Sequence, residues 1–175
     1  MAIVNFTFRK ELLNENASLS YCYQCATCSG GCPVALKTEG DYNPRKIIEF
    51  ALLGLEDRLI NGQSPNIWLC STCQKCVEYC PQKVFLTEIF TILKNKAAAR
   101  GKAPPAFYTQ GKSIFDSGMA IPITPPILRR REQLKLPVVE MARQDEIQIL
   151  LKETKFPKIL QSQKEEGDSK GSPKE

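Results

Sequence analysis

Four cysteines spaced C-x2-C-x2-C-x3-C-P run from Cys22 to Pro33, in YCYQCATCSGGCP. The same spacing returns from Cys70 to Pro81, in WLCSTCQKCVEYCP. These two runs contain all 8 cysteines of the chain, and there is no histidine. The absence of histidine removes His-ligated haem, Rieske centres, mixed Cys/His zinc sites and every His-based catalytic dyad. Thiolate chemistry remains, and the rest of the chain is expected to support it.

A four-cysteine run closed by Cys-Pro is an iron–sulfur spacing. The C-x2-C-x2-C loop can wrap one face of a [4Fe–4S] core and supply three ligands. The fourth cysteine is carried away and, in two-cluster proteins, ligates the other cluster. The spacing therefore predicts a crossed arrangement. Cys22, Cys25, Cys28 and Cys80 hold one cluster; Cys70, Cys73, Cys76 and Cys32 hold the other. Helix N-termini just after Cys32 and Cys80 are expected to aim positive dipole ends at the anionic cores. Zinc in all-thiolate sites is the first competitor, but zinc ribbons use separated C-x2-C pairs. Disulfides need an oxidising compartment, and MAIVNFTFRK has no signal-peptide character.

The formal charge of +5 counts every cysteine as a neutral thiol. With two clusters bound through eight thiolates the charge falls to about +1. Basicity is then a property of the bare sequence and a poor argument for nucleic-acid binding. A zinc protein acting on nucleic acid would rest only on that basicity and on Arg129-Arg130-Arg131. No apolar run approaches the roughly 18 residues that span a bilayer. IIEFALLGLEDRLI is interrupted by Glu49, Glu56, Asp57 and Arg58. A cytoplasmic protein without direct membrane insertion is expected.

Around the cysteines the pattern is mainly α. Asn43-Pro44 can cap and open a helix whose apolar positions are Ile48, Ala51, Leu52, Leu55 and Leu59, closed by Asn61-Gly62. Leu86, Ile89, Phe90, Leu93 and Ala97 mark a second helix, closed by Arg100-Gly101. An amphipathic helix between the two runs argues for a helical scaffold rather than a compact hairpin ferredoxin. Residues 2–8 alternate, with Val4, Phe6 and Phe8 on one side, which predicts a short N-terminal strand. Prolines 104, 105, 122, 125, 126 and 137 among apolar residues predict an extended Pro-rich arm. The expected divisions are a lead-in over 1–17, a two-cluster domain over 18–102, a docking arm with a short helix over 103–156, and a disordered tail over 157–175.

Three motif-like stretches carry no chemistry. Gly111-Lys112-Ser113 ends like a P-loop, but Ala106 stands where that loop needs glycine. Asn5-Phe6-Thr7 and Asn16-Ala17-Ser18 match glycosylation acceptors, which have no role in the cytoplasm. No residue is a convincing acid, base or nucleophile, so no catalytic residue is expected in this chain.

The order and spacing of several stretches resemble the C-type subunit of heterodisulfide reductase, the small two-cluster component of that enzyme. They are YCYQCATCSGGCP, NPRKIIEFALLGLED, IWLCSTCQKCVEYCP and TEIFTILKNKAAARGKAP, followed more weakly by GKSIFDSGMAIPI. The resemblance runs over residues 18–140 and leaves out the N-terminus and the tail. It implies an α-helical ferredoxin fold with two [4Fe–4S] clusters. It also implies an electron relay between two partners of the heterodisulfide reductase type. One is the A-type subunit, with flavin and iron–sulfur centres; the other is the B-type subunit, cysteine-rich and catalytic. The B-type motifs contain adjacent cysteine pairs, and this chain has none, so it is not expected to handle the disulfide itself. Iron–sulfur subunits of succinate dehydrogenase, glycolate oxidase and anaerobic glycerol-3-phosphate dehydrogenase share the cluster unit but add cysteine sets missing here. The alternatives are a free-standing two-cluster ferredoxin-like carrier, or an iron–sulfur subunit of another oxidoreductase, sulfur-oxidising or quinone-linked.

Overall fold

The computed structural model describes residues 3–62, 64–139 and 143–161. All regular structure among these residues is helical, and no strand forms. The chain divides into two compact units, Met1–Lys102 and Ala103–Glu175.

In the first unit the alternation at residues 2–8 makes no strand. Asn5 instead accepts the Phe8 N–H through its side chain at 3.1 Å and opens helix α1, Phe6–Glu15. The reason is backbone satisfaction. A lone strand leaves its polar backbone unpaired, whereas a capped helix pairs its own. The helix also places Phe8 and Leu12 one turn apart, and both are buried. Met1 and Ala2 lie outside the described residues.

Asn16 then caps a 3-10 turn, Ala17–Tyr21, that delivers the chain to Cys22. Short helices α2, Thr27–Gly30, and α3, Pro33–Lys37, lie within and just after the first cysteine run. Asn43 accepts from Lys46 N–H at 3.0 Å and opens α4, Pro44–Leu53, with Pro44 in its first turn. The single helix expected up to Ile60 is two. Gly54, at φ 69°, ends α4, and α5, Glu56–Ile60, follows. The break is set by a backbone meeting: Asn5 N–H donates to the Gly54 carbonyl at 2.8 Å, so the start of α1 sits on the end of α4. The second cysteine run contains α6, Lys75–Glu78, and leads to α7, Leu86–Ala99.

Helix α7 buries the five residues of its expected stripe, Leu86, Ile89, Phe90, Leu93 and Ala97. They pack with Leu12, Leu19, Ile47, Ile48 and Ala51 in one core. Tyr42 meets Phe90 edge-to-face, ring centroids 6.3 Å apart. At the rim, Lys96 on α7 reaches Glu11 at 3.0 Å and Glu15 at 2.8 Å on α1. Both carboxylates are about half exposed, so this clamp contributes less than about 1 kcal/mol and orients more than it stabilises.

The second unit is not an extended arm. It contains α8, Pro105–Ser117, α9, Pro125–Gln133, α10, Gln144–Glu153, and α11, Phe156–Gln161. Its prolines open helices instead of preventing them: Pro105 begins α8, and Pro125 and Pro126 begin α9. Gly111 lies inside α8, where an added Cβ would come within 2.9 Å of Leu160 and 3.2 Å of Phe156. Gly111-Lys112-Ser113 is thus helix interior packed under α11, not a phosphate loop. Residues 157–161, expected in the disordered tail, belong to α11, and residues 162–175 lie outside the described residues. No helix among the described residues is long and apolar enough to cross a membrane.

The Gly54 junction gives a direct test of the first unit. A Cβ there would stand 2.6 Å from the Asn5 carbonyl oxygen, in a left-handed conformation that side chains disfavour. Gly54→Ala is expected to destabilise the folded protein by about 1–3 kcal/mol in thermal or denaturant unfolding; an unchanged midpoint would contradict the junction.

Candidate metal centres

Each cysteine run is laid down by the same local backbone. An Asn-capped 3-10 turn leads in: Asn16 before Ala17–Tyr21, and Asn66, accepting from Trp68 N–H at 3.0 Å, before Ile67–Leu69. In the loops, Gln24 and Ala26 take φ of 63° and 67°, and Thr72 and Gln74 take 56° and 63°. These are left-handed positions held by residues other than glycine, each costing on the order of 1 kcal/mol. Alternating left- and right-handed residues curl a backbone so that its N–H groups face inward, as anion-binding nests do. Helices α2 and α6 then carry the chain from the third cysteine toward the fourth. The sequence shows only the cysteine spacing of this repeat. The left-handed positions carry no glycine and so leave no signal in it.

The cysteines converge on two cavities. Cys22, Cys25, Cys28 and Cys80 line one, together with Arg45, Val84 and Leu86. Cys32, Cys70, Cys73 and Cys76 line the other, with Val34, Tyr42 and Lys75. Each cavity therefore takes three thiols from one run and the fourth from the other. None of the eight is in a disulfide. In both cavities the second cysteine, Cys25 or Cys73, is the solvent-exposed one.

A buried polar knot brings Cys80 to the first cavity. Asn16 Oδ1 accepts from Ser18 N–H at 3.1 Å and from the Ser18 hydroxyl at 2.6 Å. Asn16 Nδ2 donates to Glu88 at 3.0 Å, and Ser18 Oγ accepts the Phe85 N–H at 3.0 Å. The approach to Cys22 is thereby tied to the segment just after Cys80. Asn16 and Ser18 look in the sequence like a glycosylation acceptor; buried, they are joinery. Within the first run, Ser29 Oγ donates to Asn43 at 2.7 Å and accepts Arg45 N–H at 3.0 Å, fixing α2 to the start of α4.

The fourth cysteines accept hydrogen bonds from backbone N–H groups. Cys32 Sγ takes Ala35 N–H at 3.5 Å at the start of α3. Cys80 Sγ takes Val84 N–H at 3.3 Å, but no helix begins there. Lys83 turns left-handed at φ 51° and α7 starts only at Leu86, so the expected helix N-terminus exists after Cys32 and not after Cys80.

The electrostatics show what these cavities need. Burial pushes the Cys28 thiol up to about 11. Burial, followed by the neighbouring sulfurs Cys70, Cys28, Cys32 and Cys73, pushes Cys76 up to about 12. Exposed Cys25 moves the other way, chiefly through its hydrogen bond with Thr27 at 3.3 Å. Four thiolates in one half-buried pocket repel one another unless a multiply positive core lies between them. A [4Fe–4S] core meets that need, and backbone N–H groups already point at the ligand sulfurs. The donor sets fit the cluster; when bound, it supplies one-electron oxidation and reduction.

Thr72 is β-branched, exposed and left-handed, so its conformation is imposed by the loop. Thr72→Asn, which tolerates that region better, is expected to raise the stability of the cluster-loaded protein by about 1 kcal/mol. Anaerobic thermal unfolding would check this; a comparable loss would mean the loop geometry is misassigned.

Comparison with known proteins agrees with the donor chemistry. The 4Fe-4S dicluster domain family matches residues 18–84, which span all eight cysteines. The chain is 38% identical over 149 residues to the second C-type iron-sulfur subunit of CoB--CoM heterodisulfide reductase of Methanocaldococcus jannaschii, covering 82% of this chain and 77% of that protein. It is 34% identical to the C-type subunit of the H(2):CoB-CoM heterodisulfide,ferredoxin reductase of Methanothermobacter marburgensis, over 82% of this chain and 78% of the relative. It is 35% identical to the C2-type subunit of the H(2)/formate:CoB-CoM heterodisulfide,ferredoxin reductase of Methanococcus maripaludis, over 83% and 80%. The mainly helical fold and its two [4Fe–4S] clusters are those expected from the cysteine runs. The chain belongs to the C-type subunit family of heterodisulfide reductase, a family of iron–sulfur electron-transfer subunits.

Proposed function

We propose that the chain relays electrons, one at a time, between a flavin- and iron–sulfur-containing A-type subunit and a disulfide-active, catalytic B-type subunit. Cys22, Cys25, Cys28 and Cys80 ligate one [4Fe–4S] cluster, and Cys70, Cys73, Cys76 and Cys32 ligate the other. The observation that carries this is the pair of four-thiol cavities on one helical core. Cys28 belongs to one cavity and Cys32 to the other. Three residues lie between them, four steps along the chain, so their Cα atoms are at most about 14 Å apart. Cys76 and Cys80 repeat that relation from the opposite side. Two redox centres this close pass electrons without any movement of the chain.

Each cavity also has a solvent-exposed corner, Cys25 in one and Cys73 in the other. An electron arrives at one corner and leaves at the other, which suits a component placed between two partners. The named relatives are subunits of reductases named for the CoB-CoM heterodisulfide, two of them also for ferredoxin and for hydrogen or hydrogen/formate. For this chain we propose the same arrangement of partners in the cytoplasm, with a heterodisulfide or a related sulfur compound as the terminal couple.

Affinity purification of the tagged native chain under anaerobic conditions tests the proposal. Two companions are expected. One binds flavin and iron–sulfur clusters, and one has motifs with adjacent cysteine pairs. Reducing the flavin-containing companion should reduce the clusters of this chain within the complex. A chain that purifies alone with both clusters, or with companions of neither kind, would overturn the relay.

A further inference from the structure

The two cavities are built from repeated backbone, yet their charged surroundings differ at one place. Lys94 on α7 donates from its ammonium to the carbonyl oxygen of Cys70 at 3.1 Å. Its charge also lies over the Trp68 ring, 6.0 Å from the centroid. The aliphatic stem and the charge are thus held between the aromatic residue and the first cysteine of the second run, and the side chain is half-buried. Among the described residues, the first run has no such cation. Lys46, on α4, lies over Phe50 of its own helix, 5.6 Å from the ring, and not on Cys22. What reaches Cys22 is a neutral amide, Gln24 Nε2, at 3.3 Å from the sulfur.

The remaining cations cancel between the two sites. Arg45 lines the first cavity and Lys75 the second, and both are exposed and screened by solvent. The second cavity also contains Tyr42, a phenol 1% exposed. Its ring shares the cavity with Cys70, Cys32 and Cys76, which sets a phenol hydroxyl among the ligand sulfurs. Burial of Cys32 and Cys76 opposes added negative charge at this site, but the same low dielectric strengthens a nearby cation.

We propose that Lys94, seconded by Tyr42, is a positioning residue that raises the reduction potential of the Cys70 site and not of the Cys22 site. It thereby sets which of the two centres a single electron prefers. Net charge, hydrogen bonds to sulfur and exposure are the quantities that fix such potentials, and among the described residues only the Cys70 site has a fixed ammonium on a ligand's backbone. The step itself is a one-electron reduction of the cluster, with dithionite as the reductant. This inference rests on the cluster-binding role of the two cavities. It does not require the crossed fourth ligands, because Cys70 belongs to the second site whether or not Cys80 joins it.

The test is an anaerobic redox titration of the cluster-loaded full chain with dithionite, followed by electron paramagnetic resonance. Lys94→Met keeps the stem on Trp68 and removes the charge. It is expected to disfavour reduction of one cluster about tenfold, a fall of about 59 mV for a one-electron couple, and to leave the other within error. Lys94→Arg should restore most of the difference, and Tyr42→Phe should move the same signal in the same direction. Gln24→Asn, which withdraws the amide from Cys22, should move the other signal. If Lys94→Met does not assemble its clusters, Lys94→Gln and Tyr42→Phe carry the same expectation. The proposal falls if no signal moves, if both move equally, or if the Lys94 and Gln24 variants shift the same cluster. Iron content that stays at about eight per chain throughout separates these outcomes from loss of the clusters themselves.

Discussion

The first unit depends on an exchange of cysteines. Cys32 leaves its own run to line the cavity of the second, and Cys80 leaves the second to line the cavity of the first. Each cavity is therefore incomplete without both halves of the unit. A core of buried leucines and isoleucines joins the same halves from below. Neither half closes a four-thiol site alone, and the bare sulfurs are poorly placed to ionise together. On the proposed ligation, cluster binding and folding are linked, because the group that makes thiolates stable would also hold the two halves in register.

From this linkage the supporting contacts take their meaning. The Asn16–Ser18–Phe85 knot matters because it sets Cys22 beside Cys80. The Ser29–Asn43–Arg45 contacts matter because they seat α2 on α4, so that Cys28 and Cys32 face different cavities. The non-glycine left-handed residues are strain that the loops hold in order to turn their backbone toward the sulfurs. Several of these are polar groups in buried or half-buried positions, where a lost hydrogen bond costs more than its presence contributes.

Much of this was legible in the sequence. The cysteine spacing specified the donor type, and each cavity is lined by three cysteines of one run and one of the other. The stripe from Leu86 to Ala97 and the Asn43-Pro44 cap specified two helices, because apolar periodicity and capping are local signals. The failures were also local. Val4, Phe6 and Phe8 alternate like a strand, but among the described residues there is no second strand to pair with, and Asn5 caps a helix. Gly54 breaks the first amphipathic helix because the start of α1 docks on it, a contact between distant residues that no window of sequence contains. The prolines after Lys102 read as breakers, yet at the first helical positions they are compatible with helices. Lys94 and Tyr42 were invisible as site residues, since each reaches the Cys70 site from a distant helix or turn.

The crossed exchange is most directly tested by iron-edge anomalous diffraction from crystals of the anaerobically purified, cluster-loaded chain. Two separate four-iron density features are expected, one bonded to Cys22, Cys25, Cys28 and Cys80 and the other to Cys70, Cys73, Cys76 and Cys32. Iron bonded to Cys32 together with Cys22, Cys25 and Cys28, or to Cys80 together with Cys70, Cys73 and Cys76, would contradict the account.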